Sequence, residues 1–230
     1  MNLTQYIGQG CTLHDINNSQ KIVGSVGSNA YIYDASSDDL TILPLANAFG
    51  AAINDSGDVV GLWGLIAFLY SGSVNVINIL PSTPRGPFFP SDVNSHQLVV
   101  GSVKVGGFPT TYDLPVILDV SAASPVLTFI GPPSGFPSAD AAAINESGTV
   151  VGGAATIVFP GSVPQTTAWV WKMGDPPQAT DLNQITDPTA GWNLQAATDI
   201  NTAGQIVGYG LHNGRLAAFR LSPILSPSAT

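Results

Sequence analysis

One nine-residue phrase recurs five times along this chain: an apolar residue, Asn, a short polar stretch usually ending in Gly, then an apolar pair closed by Gly. The first three copies read Ile16-Asn17-Asn18-Ser19-Gln20-Lys21-Ile22-Val23-Gly24, Ile53-Asn54-Asp55-Ser56-Gly57-Asp58-Val59-Val60-Gly61 and Val93-Asn94-Ser95-His96-Gln97-Leu98-Val99-Val100-Gly101. The last two read Ile144-Asn145-Glu146-Ser147-Gly148-Thr149-Val150-Val151-Gly152 and Ile200-Asn201-Thr202-Ala203-Gly204-Gln205-Ile206-Val207-Gly208. Successive copies start 37, 40, 51 and 56 residues apart. A period of this size marks a chain made of copies of one supersecondary unit, each too small to bury its apolar face alone.

Within each copy the pattern predicts strand, tight turn, strand. The Asn side chain can accept hydrogen bonds from the amides ahead of it, and the following Gly supplies a positive φ that most residues resist. Asn-x-x-Gly between β-branched runs is thus a hairpin signal. Gln20 and Gln97 stand where the other copies have Gly, which predicts a slightly different turn in the first and third copies. A third apolar run follows in every copy (Ala30–Tyr33, Ala67–Tyr70, Pro115–Leu118, Ala168–Trp171 and Ala218–Leu221). A fourth follows in the first four (Leu40–Leu43, Val76–Ile79, Val126–Phe129 and Ala179–Leu182). The last copy is followed by the Pro-rich Ser222–Thr230, whereas an unassigned apolar run, Leu3–Ile7, precedes the first. Four strands per repeat, with the N-terminal run completing the last, predicts an all-β fold: a single five-bladed β-propeller over residues 1–230, its ring closed by the N-terminal strand. An open solenoid is the alternative, but it leaves Leu3–Ile7 without a role.

The recurring Ala/Asp-Ile-Asn-x-x-Gly-x-Val-Val-Gly followed by Ala-Phe resembles the bacterial HAF repeat family of probable extracellular repeats, in five copies spanning nearly the whole chain. That resemblance implies a propeller-like fold and an extracellular or periplasmic location. It implies no activity. The first residues, Met1-Asn2-Leu3-Thr4-Gln5-Tyr6, do not read as a secretory signal.

Composition narrows the partners. The net charge is −9, and the six Lys and Arg residues are scattered singly. A nucleic-acid surface needs a basic stripe to exploit phosphate charge, and the sequence has none. The most apolar stretch, Gly61–Tyr70, is half the roughly 20 residues a membrane-spanning helix requires, so no membrane insertion is expected. Cys11 stands alone, which rules out an internal disulfide. His14, His96 and His212 lack zinc-ligand spacing, and no phosphate loop, nucleophile elbow or dinucleotide fingerprint occurs. No metal or cofactor is expected, and the sequence leaves the oligomeric state open.

In a propeller the Asn turns share one face, and the longer, variable loops lie on the other. Binding residues concentrate on variable loops over a rigid scaffold. The binding reading therefore assigns a small-molecule or glycan ligand to Phe89, Tyr112, Trp192, Tyr209, His212 and Arg215. Trp169 and Trp171, inside a strand, read instead as core. The competing reading is an enzyme, a hydrolase or an isomerase or cyclase, with acid and base groups at the mouth of the channel: His14, Asp140, Asp15, Asp199 and His212. Asp15, Asp92 and Asp199 hold one position, immediately before the apolar-Asn pair, in the first, third and fifth copies. Carboxylates in such sets serve glycoside hydrolysis, but an Asp placed this way also braces a hairpin through its backbone amides.

Overall fold

The computed structural model describes residues 10–71, 76–80, 85–107, 110–121, 124–156 and 164–224. Leu3–Ile7, and with it the expected ring closure, lies outside them. Two compact units divide the chain, Met1–Phe129 and Ile130–Thr230.

The first unit holds three four-stranded antiparallel sheets, each a meander in chain order. They are β1 (Cys11–Ile16) to β4 (Asp39–Ala46) through β2 (Lys21–Val26) and β3 (Asn29–Asp34); β5 (Ala48–Ile53) to β8 (Val76–Ile79) through β6 (Val59–Trp63) and β7 (Ile66–Ser71); and β9 (Phe88–Val93) to β12 (Val126–Phe129) through β10 (Leu98–Gly107) and β11 (Thr110–Asp119). The second unit repeats the meander with β13 (Ser138–Ile144), β14 (Thr149–Ala155), β15 (Thr166–Lys172) and β16 (Thr180–Asp181). Three further strands follow, β17 (Trp192–Ile200), β18 (Ile206–His212) and β19 (Arg215–Leu221). A single bridge, Gly153 to Ala196, joins the two meanders of this unit into one seven-stranded sheet. The expected fourth run at Ala179–Leu182 shrinks to the two residues of β16. Leu182–Gln184 turns into a short 3-10 segment capped by the Asp181 side chain, which accepts from the Asn183 amide.

Each Asn turn is built in the same way. The Asn amide donates to the carbonyl four residues on, and the residue three on donates back to the Asn carbonyl, as in Asn54 N–H to Asp58 (3.0 Å) and Gly57 N–H to Asn54 (3.0 Å). The Asn Oδ1 accepts from the amide four residues ahead in every copy, at 2.9 Å from Lys21 and 3.0 Å from Thr149, for example. Gln20 and Gln97 do not alter the turn, contrary to the expectation from sequence. They adopt φ of 61° and 58° where Gly57, Gly148 and Gly204 adopt 84°, 75° and 74°. The hydrogen bonds around the turn hold them there against the steric cost of a Cβ in the left-handed region.

The Asn amide nitrogen reaches beyond its own repeat. Asn17 Nδ2 donates to the Asn54 carbonyl and Asn54 Nδ2 to the Asn94 carbonyl, both at 2.9 Å. In the second unit Asn145 Nδ2 donates to the Asn201 carbonyl at 3.1 Å. Of the five Asn residues that donate or accept here, 17, 54, 94 and 145 are buried. Asn201, in the last repeat, is exposed and donates to its own Gln205 Oε1 (2.9 Å).

The closing Gly of the phrase is demanded by close approach. A Cβ at Gly24, Gly61, Gly101, Gly152 or Gly208 would collide with an inner-strand carbonyl, those of Thr12, Phe49, Phe89, Asp140 and Ala196 respectively. Each of these inner strands carries a register shift between the collision point and the Asn turn: Leu13/Asp15 in β1, Gly50/Ala52 in β5, opposite Val100/Gly101 in β9, Ala141/Ala143 in β13 and Ala197/Asp199 in β17. A bulge of this kind kinks the strand and re-aims its groups. The ring of the cross-strand partner then lies over the bare Gly: Tyr31 on Gly24, Phe68 on Gly61, Trp169 on Gly152, Phe219 on Gly208. In the third repeat the partner of Gly101 is Val116, and Phe88 from β9 supplies the ring.

Apolar side chains from neighbouring sheets interleave. Val23, Ala30 and Leu43 pack with Ile53, Val59, Phe68 and Tyr70 between the first and second sheets. Ala143, Val151 and Ala168 pack with Leu194, Ala197, Ile206 and Phe219 in the second unit. Trp169 and Trp171 are buried, with Nε1 donors satisfied by the Gly153 (2.9 Å) and Pro176 (2.8 Å) carbonyls.

Two outcomes are expected in urea denaturation. Asn145→Ala removes both the turn acceptor and the buried donor to the next repeat and should cost about 2–3 kcal/mol, whereas exposed Asn201→Ala should cost about 0.5–1 kcal/mol. Gln20→Gly relieves a left-handed non-Gly residue in an exposed turn and should raise stability by about 1 kcal/mol.

Candidate functional site

The residues nominated from sequence fall in both units. In the first unit, Phe89 pairs across the ladder with Ser102, two residues from Lys104, whose Nζ lies 5.8 Å from the Phe89 ring centre and 3.1 Å from Asp113 Oδ1. Tyr112 pairs with Val105 and packs against the core of this sheet. Strand alternation puts position 105 on the face opposite 102 and 104. Phe89 and Tyr112 therefore present to different sides of one sheet.

His14 is the residue left over at the β1 bulge, since Leu13 pairs with Gly24 and Asp15 with Val23. The bulge turns the ring outward against Phe49 of β5, with ring centres 4.3 Å apart and planes tilted by 59°. Its Nε2 lies 3.0 Å from Thr12 Oγ1. Partial removal of water holds its pKa below the usual 6.5. Beside it, Asp15 is fully engaged: Oδ1 accepts from the Ile16 amide at 2.7 Å and Oδ2 from the Ile53 amide of the next repeat at 2.9 Å. Asp92 and Asp199 cap the following amide in the same way, at 2.7 Å from Val93 and Ile200. All three carboxylates thus sit at the same structural station, holding the strand as it leaves its bulge.

In the second unit the structure brings three nominated residues together. Trp192 of β17 pairs with His212 of β18, and His212 pairs with Arg215 of β19, so one cross-strand row runs over the last three strands. The Trp192 and His212 rings stack, 4.6 Å between centres with planes 21° apart, and Phe219 meets Trp192 edge-on at 6.2 Å. The hairpin tip beside the row has Asn213 and Gly214 at φ of 50° and 77°, the left-handed pair a two-residue hairpin requires. Asn213 N–H donates to the Gly191 carbonyl at 2.8 Å, tying the tip to the loop that precedes β17. Trp192 is half-buried; His212 and Arg215 are exposed.

Tyr209 does not join this row. It lies an odd number of residues from His212 in β18 and so points from the opposite face, where it is 47% exposed. The acid–base set is dispersed as well. Asp199 pairs with Val207 near the far end of β17 from Trp192 and His212, seven residues away and so roughly 20 Å along the strand. Asp140, exposed on β13, pairs with Gly153. His212 and Asp199 cannot act on one bond. Among the described residues no group of three His, Cys, Asp or Glu side chains is placed to hold a metal ion, and no helix is long and apolar enough to cross a membrane.

Sequence reasoning missed two participants. Phe219 was visible only as part of an apolar run, and Phe49 only as an isolated aromatic. Their contacts depend on which strands become neighbours.

No family model and no curated protein matches the chain. Among solved structures it is similar to the β-propeller domain of the trilobed protease from Pyrococcus furiosus, a domain with an open velcro topology. The TM-score is 0.59 at 10% identity, covering 96% of this chain and 71% of that one. At this identity the likeness concerns fold alone, and it makes the fold a β-propeller one: antiparallel sheets repeated along the chain.

The depressed pKa of His14 has a direct readout. Because its folded value lies below the unfolded 6.5, His14 favours folding fully above 6.5, and that contribution is lost as pH falls through 6.5 toward the folded value. NMR titration should place its midpoint below 6.5, and Phe49→Ala should move it back toward 6.5.

Proposed function

We propose that the five repeats are five blades of one propeller and that the protein is a non-catalytic binding module, taking a glycan or another small planar ligand on the variable-loop side of its last repeat. The observation that carries this reading is the Trp192–His212–Arg215 row. It offers a stacked aromatic surface and, in line with it, an exposed guanidinium, on three rigid strands beside a tied-down hairpin tip. Aromatic faces take the apolar face of a sugar ring, and a guanidinium donates in a fixed fork to hydroxyl or carboxylate oxygens. The engagement of the Asp15, Asp92 and Asp199 carboxylates with backbone amides supports binding over hydrolysis. With the HAF-like repeat, the reading extends to an exported protein.

The alternative, an enzyme, draws its support from His14. An outward-turned imidazole with a lowered pKa is neutral near pH 7 and able to accept a proton.

Titration of a panel of neutral and uronic-acid oligosaccharides, followed by calorimetry, tests the proposal. At least one should bind, with Trp192→Ala and Arg215→Ala each weakening affinity on the order of tenfold or more while the melting temperature of the exposed Arg215→Ala variant is unchanged. Failure of the whole panel to bind, or turnover of a panel member that His14→Gln abolishes, would overturn it.

A further inference from the structure

The Trp192–His212–Arg215 row presents hydrogen-bond donors. Arg215 is exposed and makes no ion pair or hydrogen bond among the described residues, although the chain carries 15 Asp and Glu against six Lys and Arg. A guanidinium has N–H groups and no acceptor, and the Trp192 indole likewise only donates. A neutral imidazole has one nitrogen of each kind, and at His212 the neighbouring residue decides which is which. Asn213 Nδ2 lies 3.3 Å from His212 Nε2. An amide nitrogen carries only N–H groups, so Nε2 accepts and the proton of the neutral ring sits on Nδ1. The oxygen of the same amide is turned to Gly191, at φ of 71°, where only the missing Cβ leaves room for it. Asp187, on the loop before β17, is engaged by its own turn, accepting from the Thr189 N–H (2.8 Å) and the Thr189 hydroxyl (2.7 Å).

We infer that the row selects an acidic sugar: its ligand is a glycan bearing a carboxylate, taken by the Arg215 guanidinium and the His212 Nδ1–H while the sugar ring lies on the Trp192–His212 surface. The inference rests on the binding reading above and adds to it the charge of the ligand. A hydroxyl both gives and takes a hydrogen bond, so against these donors its own proton goes unmet. An ionised carboxylate only accepts, through about four lone-pair sites, and satisfies a donor set without remainder. Bonds between a guanidinium and a carboxylate are also shorter and stronger than those between neutral groups. Arg215 and His212 pair directly across the β18–β19 ladder, where opposed side chains start about 5 Å apart, close enough for one carboxylate to reach both. The net charge of −9 repels an anion at long range, but physiological salt screens exposed charges beyond about 8 Å, whereas the guanidinium acts at contact.

The test uses the full chain and two acidic probe series, oligouronides and sialylated oligosaccharides, each paired with its methyl ester so that the partners differ only in charge at the carboxylate. Calorimetry should show at least one acid binding on the order of tenfold tighter than its ester. Arg215→Gln should bring the two affinities together at an unchanged melting temperature, and Arg215→Lys, which keeps the charge without the fork, should keep part of the difference. Nitrogen-15 NMR of the neutral ring should find the His212 proton on Nδ1. In Asn213→Gly, which preserves the left-handed turn and removes the amide, that proton should shift toward Nε2. Equal or tighter binding of the esters would overturn the inference and leave the binding reading standing, whereas binding of neither acids nor esters would overturn both. A preference for the acid that survives Arg215→Gln, or a His212 proton on Nε2 in the unaltered protein, would also overturn the inference, since the donors named here would then not be the ones that select.

Discussion

The side chain of the repeated Asn performs two jobs that a hairpin alone would not require. Its oxygen closes the turn by accepting the amide four residues ahead, and at Asn17, Asn54 and Asn145 its nitrogen donates to the carbonyl of the corresponding Asn in the next repeat. Turn shape and repeat spacing are thereby set by one residue. The Asn carbonyl it reaches already accepts the amide that closes that next turn, so both acceptor sites of one oxygen are used. The donors Asn17, Asn54 and Asn145 are buried, where an unmet donor is expensive, which makes the link strict. No Ser, Thr or Asp could replace it, since none offers an oxygen acceptor and an N–H donor on the same short side chain.

The Asn turns hold one end of each hairpin, and the Gly–aromatic pairs hold its middle. A bulge in each inner strand drives a carbonyl toward the second strand, and only Gly leaves room for it. The aromatic ring on the third strand covers the gap that Gly leaves and carries packing on to the neighbouring sheet, as Phe68 does with Val23 and Leu43. Bulge, Gly and ring are thus mutually dependent. The third repeat shows the constraint is volume rather than position: Val116 stands where the ring is absent, and Phe88 from the other side fills the space.

This scaffold shapes what can be a site. The bulge recurs in every repeat, yet only in the first does it display an imidazole, and the carboxylates next to it in three repeats are spent on backbone amides. At the other end of the strands the constraint is looser. There the last repeat places Trp192, His212 and Arg215 side by side, three residues drawn from three strands, with His212 and Arg215 set opposite each other by the Asn213-Gly214 turn.

The sequence by itself determined the number of repeats, the hairpin at each Asn and the burial of Trp169 and Trp171, because these depend on local turn chemistry and a two-residue alternation that a linear chain displays. The same alternation makes the opposite facing of Trp192 and Tyr209 a matter of register, and register was not visible: bulges shift it in every repeat, twice in β17, and a bulge leaves no mark in composition. Gln20 and Gln97 show the limit from the other side, since propensity argued against a left-handed Gln and the hydrogen bonds around the turn prevailed. Tertiary structure alone decided where the Asn nitrogens donate, which carboxylates are occupied, and that His212 and Asp199 stand strand-lengths apart. Those outcomes rest on which surfaces meet across sheets, and contacts between residues about forty positions apart are fixed by packing of the whole core rather than by any segment of the chain.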